Sequence, residues 1–175
     1  MRPNVFARFT LLLIFSFAAY TQGSVNFSGT WKMDAARSES AHQAVPIGPV
    51  TLLINQTAGQ IKIETRRSER GGSGIQSGIL TYKLDGTEST IVSPNGAPPV
   101  KTKAHWNGDK LVTETERNVQ GSTVTTTYIH SLDPKKMKEL TIDKTLLIQH
   151  GYQFEGSKSY GTGRDVFIRA SKTAP

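Results

Sequence analysis

The sequence predicts an all-β domain, an antiparallel up-and-down β-barrel of about 8–10 strands. Three observations carry this. From Asn26 onward the chain falls into short Thr-rich runs, each bounded by Gly, Pro, Asn or Asp. Tight-turn dipeptides such as Asp85-Gly86 and Asn107-Gly108 link neighbouring runs. In Val100–Trp106, finally, Val100, Thr102, Ala104 and Trp106 alternate strictly with Lys101, Lys103 and His105, as required of a strand with one face buried and one in water. A long meander leaves two unpaired edges, and closing it into a barrel removes them.

The elements follow in order. Phe27–Met33 is the first run and Val50–Ile54 the second, which Ala58-Gly59 turns into Ile61–Thr65. Arg70–Gly74 is a flexible connection to Ile75–Leu84, and Asp85-Gly86 predicts a hairpin onto Ser89–Ser93. Pro94–Pro99 is a loop before Val100–Trp106. Asn107-Gly108-Asp109 closes a hairpin onto Leu111–Arg117, and Gln120-Gly121-Ser122 closes another onto Thr123–His130. Asp133-Pro134 turns the chain toward Leu140–Ile148. Gly161-Thr162-Gly163 is expected to be a hairpin tip before the last run, Val166–Ala170. Asp34–Pro49, broken by Pro46 and Pro49, has room for at most a short helix.

The N-terminus stands apart. Arg2 and Arg8 precede the apolar stretch Phe9–Ala19, and small residues follow, so residues 1–23 are expected to be a secretory signal peptide cleaved near Ala19 to Gly23. The stretch is too short to cross a bilayer as a helix, and no second one approaches the ~18 residues a span needs. Residues 24–175 are then one soluble domain with no transmembrane span, secreted or periplasmic. The chain has 175 residues, 36% of them apolar, a formal charge of +7 and no Cys. Disulfides, thiol chemistry and Cys-ligated zinc are thereby excluded, and an exported domain without Cys suits a bacterial envelope.

The segment Asn26-Phe27-Ser28-Gly29-Thr30-Trp31-Lys32-Met33-Asp34 resembles the calycin signature shared by lipocalins, fatty-acid-binding proteins and avidins, and in particular secreted bacterial lipocalin-like proteins. Ala36-Arg37-Ser38 and the hairpin Trp106-Asn107-Gly108-Asp109-Lys110-Leu111 support it. The resemblance implies a barrel whose narrow end is closed by Gly29 and Trp31, with a late basic side chain over the indole. Arg169 is the candidate and Arg164 the alternative. It also implies binding of a small hydrophobic molecule without catalysis. Some family features are missing. Asp34–Pro49 is short for the two-helix lid of fatty-acid-binding proteins, and Arg169-Ala170-Ser171 lacks their late Arg-x-Tyr pair. The ending Asp165–Arg169 is of avidin type, but Trp31 and Trp106 alone do not make a biotin site.

Parity supplies a candidate lining. Leu52, Ile54, Ile61, Ile63, Leu80, Tyr82, Val100, Ala104, Trp106, Leu111, Val124 and Tyr128 share the inward faces, and Arg67, Arg117 and His130 fall on the same faces. An Arg inside an apolar barrel is costly unless paired, so an anionic head group is one counterpart and a solvated strand end the other. Candidate ligand-binding residues are therefore Arg67, Tyr82, Trp106, Arg117, Tyr128 and His130. Tyr82 and Trp106 read equally as core packing.

Other chemistries lack their residue patterns. His42, His105, His130 and His150 have no metal-ligand spacing, and there is no Gly-x-Ser-x-Gly elbow, so no metal, cofactor or catalytic residue is expected. Arg66, Arg67 and Arg70 form one basic cluster and Lys135, Lys136 and Lys138 another. Export argues against nucleic acid and leaves contact with an anionic envelope surface open. Two functions remain: a hollow barrel holding a small hydrophobic or amphipathic, anionic-ended ligand, or a filled barrel acting on a protein or polymer as a binding or inhibitor module through the loops at Arg70–Gly74, Pro94–Pro99 and Gly161–Gly163.

Overall fold

The computed structural model describes residues 25–68, 75–92, 96–135, 137–151 and 156–171. The region expected to be a signal peptide and the Arg70–Gly74 connection lie outside them, as does part of the Pro94–Pro99 loop. Ten strands form one antiparallel sheet: β1 (Gly29–Met33), β2 (Val50–Gln56), β3 (Gln60–Ser68), β4 (Ile75–Lys83), β5 (Ser89–Ile91), β6 (Val100–Asn107), β7 (Lys110–Val119), β8 (Ser122–Leu132), β9 (Glu139–Gln149) and β10 (Lys158–Arg169). Their order is β4-β3-β2-β1-β10-β9-β8-β7-β6-β5. Every strand follows its chain neighbour except at one seam, and β1 pairs with β10 to bring the first strand against the last.

Turn chemistry explains the hairpins. Gly108 (φ 64°) sits in the two-residue connection of β6 to β7, and Gln120 (φ 51°) with Gly121 (φ 81°) joins β7 to β8. Positive φ at such positions matches the right-handed twist of the flanking strands. Asp85-Gly86 behaves differently from the expectation. β4 and β5 are the two ends of the sheet order, so no hairpin ladder forms there. The Asp85 carboxylate accepts bonds from the Thr87 backbone N–H and hydroxyl, at 2.9 and 2.7 Å, and ties up the turn locally. The seam is bridged instead by a side chain: the Thr102 hydroxyl of β6 lies 3.0 Å from the Thr81 carbonyl of β4.

A second correction concerns Gly161 and Gly163. They lie inside β10, opposite Leu146 and Lys144 of β9, and are not a hairpin tip. The last strand therefore starts at Lys158, well before the expected Val166. Between β1 and β2 the chain makes two short 3₁₀ turns, Ala35–Arg37 and Glu39–His42. Ser38 anchors them: the Val166 N–H donates to its hydroxyl at 3.0 Å, and the hydroxyl donates to the Val166 carbonyl at 3.2 Å. No helix among the described residues is long and apolar enough to cross a membrane.

Alternate connections gather at opposite ends of such a barrel. Those after β2, β4, β6 and β8 share one end with the start of β1, and there the core is solid. Phe27, Trp31, Ile54, Ile61, Ala104 and Leu111 pack together, with Trp31 fully out of water. Trp31 Nε1 donates to the Phe27 carbonyl at 2.9 Å, so burying the indole leaves no polar atom unpaired. The Arg169 guanidinium lies 4.1 Å from the centroid of the Trp31 ring system and donates to the carbonyls of Ser28 (2.6 Å) and Met137 (3.1 Å). Stacking of this kind is worth roughly 0.5–2 kcal/mol. Gly29, at φ 145°, makes room for it: a Cβ there would lie 2.6 Å from Arg169 Nη1. Arg164, the alternative, points away and pairs with Asp143 at 2.6 Å.

Candidate functional site: a two-sided cavity in the barrel

Above this solid end the strands enclose a cavity of about 470 Å³, within the range of small-molecule sites. The inward positions of β2, β3 and β4 supply an apolar wall, including Val50, Leu52, Ile63 and Leu80. β7 and β8, diametrically across the sheet order, supply a hydroxyl-rich one: Thr113, Thr115, Thr126 and Tyr128. Thr115 and Thr126 face each other across the β7–β8 ladder. Their parity with Leu111 and Tyr128 was the signal for this wall, masked by the ordinary abundance of Thr in strands.

Five of the six candidate ligand residues line this cavity: Arg67, Tyr82, Arg117, Tyr128 and His130. Trp106 does not. It stacks on Phe27 with ring centroids 6.0 Å apart, at the solid end. Parity had correctly turned it inward, but the height of its β6–β7 turn places it beneath the cavity floor.

Arg67 and Arg117 stand at the open end. Arg67 lies opposite Val50 on β2, and Arg117 opposite Val124 on β8. Both are exposed, and among the described residues neither belongs to an ion pair. Their fields meet at Tyr128. Burial pushes its phenol above the usual range, while Arg67 and Arg117 pull it back and Asp165 pushes it further up. Lys144 and Asp165, which the sequence had not marked, also line the cavity. Asp165 is occupied: the Ser40 N–H and hydroxyl donate to its Oδ1 at 3.0 and 2.7 Å.

His130 lies at the floor instead of the rim. It is only 4% exposed, opposite Leu111 and Ile142 in the ladders and edge-on to Phe27 at 6.1 Å. Its Nε2 is 3.0 Å from Thr113 Oγ1. The Tyr82 phenol is raised above its usual range mainly by burial and lowered in part by the Thr113 side chain. Burial drives the His130 pKa down to about 4, so the ring is neutral at neutral pH. Its Nδ1 is buried and has no hydrogen-bond partner among the described residues. Among the described residues no group of three or more His, Asp or Glu is placed to hold a metal ion.

Fold and site together define an all-β barrel of ten antiparallel strands with an internal cavity open at one end. No family model matches the sequence, and no curated protein matches it. Solved structures do. The chain is similar to the wild-type fluorescent protein UnaG, with a TM-score of 0.50 and 20% identity over 82% of this chain and 97% of that one. It is also similar to fatty-acid-binding protein 1 of Echinococcus granulosus, with a TM-score of 0.48 and 15% identity over 83% and 98% of the two chains. At such identities the likeness is one of fold.

Proposed function

We propose that the chain is a non-catalytic carrier or sensor that holds a small, largely apolar molecule in the barrel, with an anionic end at Arg67 and Arg117. The observation that carries this is the cavity of about 470 Å³ whose mouth presents those two guanidiniums without an acidic partner among the described residues. The apolar wall supplies affinity at roughly 25 cal/mol per Å² of ligand surface removed from water. The guanidiniums supply orientation, since each offers a planar fork matched to a carboxylate. The alternative of a filled barrel acting through its loops has less support, because the interior is hollow and Gly161–Gly163 is strand. Residues 1–23 acting as an export signal, with a secreted or periplasmic product, are part of the same proposal. N-terminal sequencing of protein recovered from fractionated cells tests that part.

Native mass spectrometry of the purified protein, followed by organic extraction, tests the carrier reading. A discrete small molecule lost on denaturation supports it. Titration with a long-chain fatty acid and the matching alcohol tests the polarity: the acid binds more tightly, and Arg67→Ala/Arg117→Ala abolishes the difference. Equal binding of acid and alcohol to the native protein overturns the assignment of the mouth.

A further inference from the structure

The hydroxyl-rich wall holds a polar pair that an anionic end at the mouth leaves unused. We propose that Thr115 and Thr126 form a subsite, partway down the cavity, for a neutral oxygen carried by the ligand, a hydroxyl or a carbonyl. This rests on the carrier reading above and narrows its ligand class from simple acids to acids with a polar group set partway along an otherwise apolar body.

Partnering separates these two threonines from their neighbours. Thr102, Thr113, Thr115 and Thr126 are all buried. The Thr102 hydroxyl lies 3.0 Å from the Thr81 carbonyl, and that of Thr113 lies 3.0 Å from His130 Nε2. Thr115 and Thr126, 8% and 7% exposed, make no side-chain hydrogen bond among the described residues. Among those residues the side-chain atoms both unpaired and closed to water are Ser89 Oγ and His130 Nδ1, so the two threonine hydroxyls keep accessible surface, and the space they border is the cavity. Valine has nearly the same shape and strand preference, and would complete an apolar lining. As threonine, the pair holds water in an empty barrel, and an aliphatic chain that displaces this water leaves both hydroxyls unpaired. A ligand with an oxygen at that height does not.

Position and surroundings decide what the pair accepts. Thr115 and Thr126 lie opposite each other on the inward faces of β7 and β8, and both line the cavity. Their row continues to Thr102 on β6, whose hydroxyl is taken, and to Leu146 on β9. A ligand group at this height therefore meets two open hydroxyls flanked by neighbours that are apolar or already bonded. Each hydroxyl donates and accepts, so the pair serves a carbonyl, which takes two donors, or an alcohol, which takes one and gives one. Arg117, paired with Val124, is the next inward row toward the mouth. Two residues of strand rise put it roughly 5–7 Å above the threonines, so the acid comes first and the neutral oxygen a short way in. Across the cavity Val50, Leu52, Ile63 and Leu80 favour the apolar side of the ligand, which fixes the edge that faces β7 and β8.

Calorimetric titration of the delipidated protein with stearate, and with stearates bearing one hydroxyl at carbon six, eight or ten, is the test. The expected result is about ten-fold tighter binding of at least one hydroxy acid than of stearate, a hydrogen bond made where the plain chain leaves hydroxyls unpaired. Thr115→Val/Thr126→Val should erase that preference while stearate binds at least as tightly as before. If no hydroxy acid binds more tightly than stearate to the native protein, the subsite is overturned and the mouth reading stands. A preference that survives Thr115→Val/Thr126→Val overturns its assignment to this pair. If none of the acids binds, the carrier reading falls and the subsite with it. The native comparison decides the question even if the variant does not fold.

Discussion

Ile61 and Leu111 are fully out of water at the solid end of the barrel, while Arg67 and Arg117, six residues further along the same strands and on the same inward face, are exposed at the other. At the solid end the indole and its cover are both paired: Trp31 Nε1 bonds Phe27, and Arg169 covers the indole while donating to two carbonyls. At the open end two cations have no ion-pair partner among the described residues. His130 marks the boundary, touching Phe27 below and lining the cavity above. The difference teaches that one strand face can stabilise the fold at one end and be spared from that task at the other. Removing side chains at the two ends should therefore have opposite signatures.

Trp31→Ala should produce the largest effect. It deletes a fully buried indole and leaves the Phe27 carbonyl unpaired, a loss of about 3–5 kcal/mol in denaturant unfolding. A loss below about 1 kcal/mol would mean that the solid end does not hold the fold. Acidification should come next. His130 has a folded pKa of about 4 against an ordinary 6.5, so the unfolded chain binds its proton first. This contribution is complete above pH 6.5 and is lost as pH falls toward 4, by about 3 kcal/mol in total. His130→Leu should flatten that limb of the stability–pH curve, and an unchanged limb would assign it to other groups.

Arg169→Met should cost about 2 kcal/mol through the lost stacking and carbonyl bonds. Near-native stability of that variant would reduce the cover over Trp31 to decoration. Arg67→Ala/Arg117→Ala should be smallest in stability, within about 0.5 kcal/mol, because both side chains are exposed and have no ion-pair partner among the described residues. The same pair should weaken binding of a long-chain acid about ten-fold. A large loss of stability there would erase the contrast between the ends.

The period-two alternation of Val100–Trp106 announced a strand, its inward face and its partner strands through Asn107-Gly108, all local properties of the chain. The Gly29–Trp31–Arg169 closure was legible only by resemblance to a family motif; in the structure the Arg169 guanidinium lies over the Trp31 ring and Gly29 leaves it room. Of the candidate ligand residues, parity found the face of each but not its height. Trp106 and His130 share the inward set with Arg67 and Arg117, yet one lies under the floor, one on it, and two at the mouth. Asp85-Gly86 likewise had the turn residues of a hairpin, and only the sheet order shows that its flanking strands part at the seam.

The sequence by itself determined what depends on neighbours along the chain: strand number, strand faces, most turns, and the residues able to plug a barrel end. Only the tertiary structure decided where the plug stops and the cavity begins, which wall is apolar and which bears hydroxyls, and that His130 is buried beneath the cavity. The physical reason is that a side chain's burial in a barrel depends on its height relative to residues from strands far away in sequence. That height is set by registers accumulated around the whole closed sheet, and no local pattern encodes it.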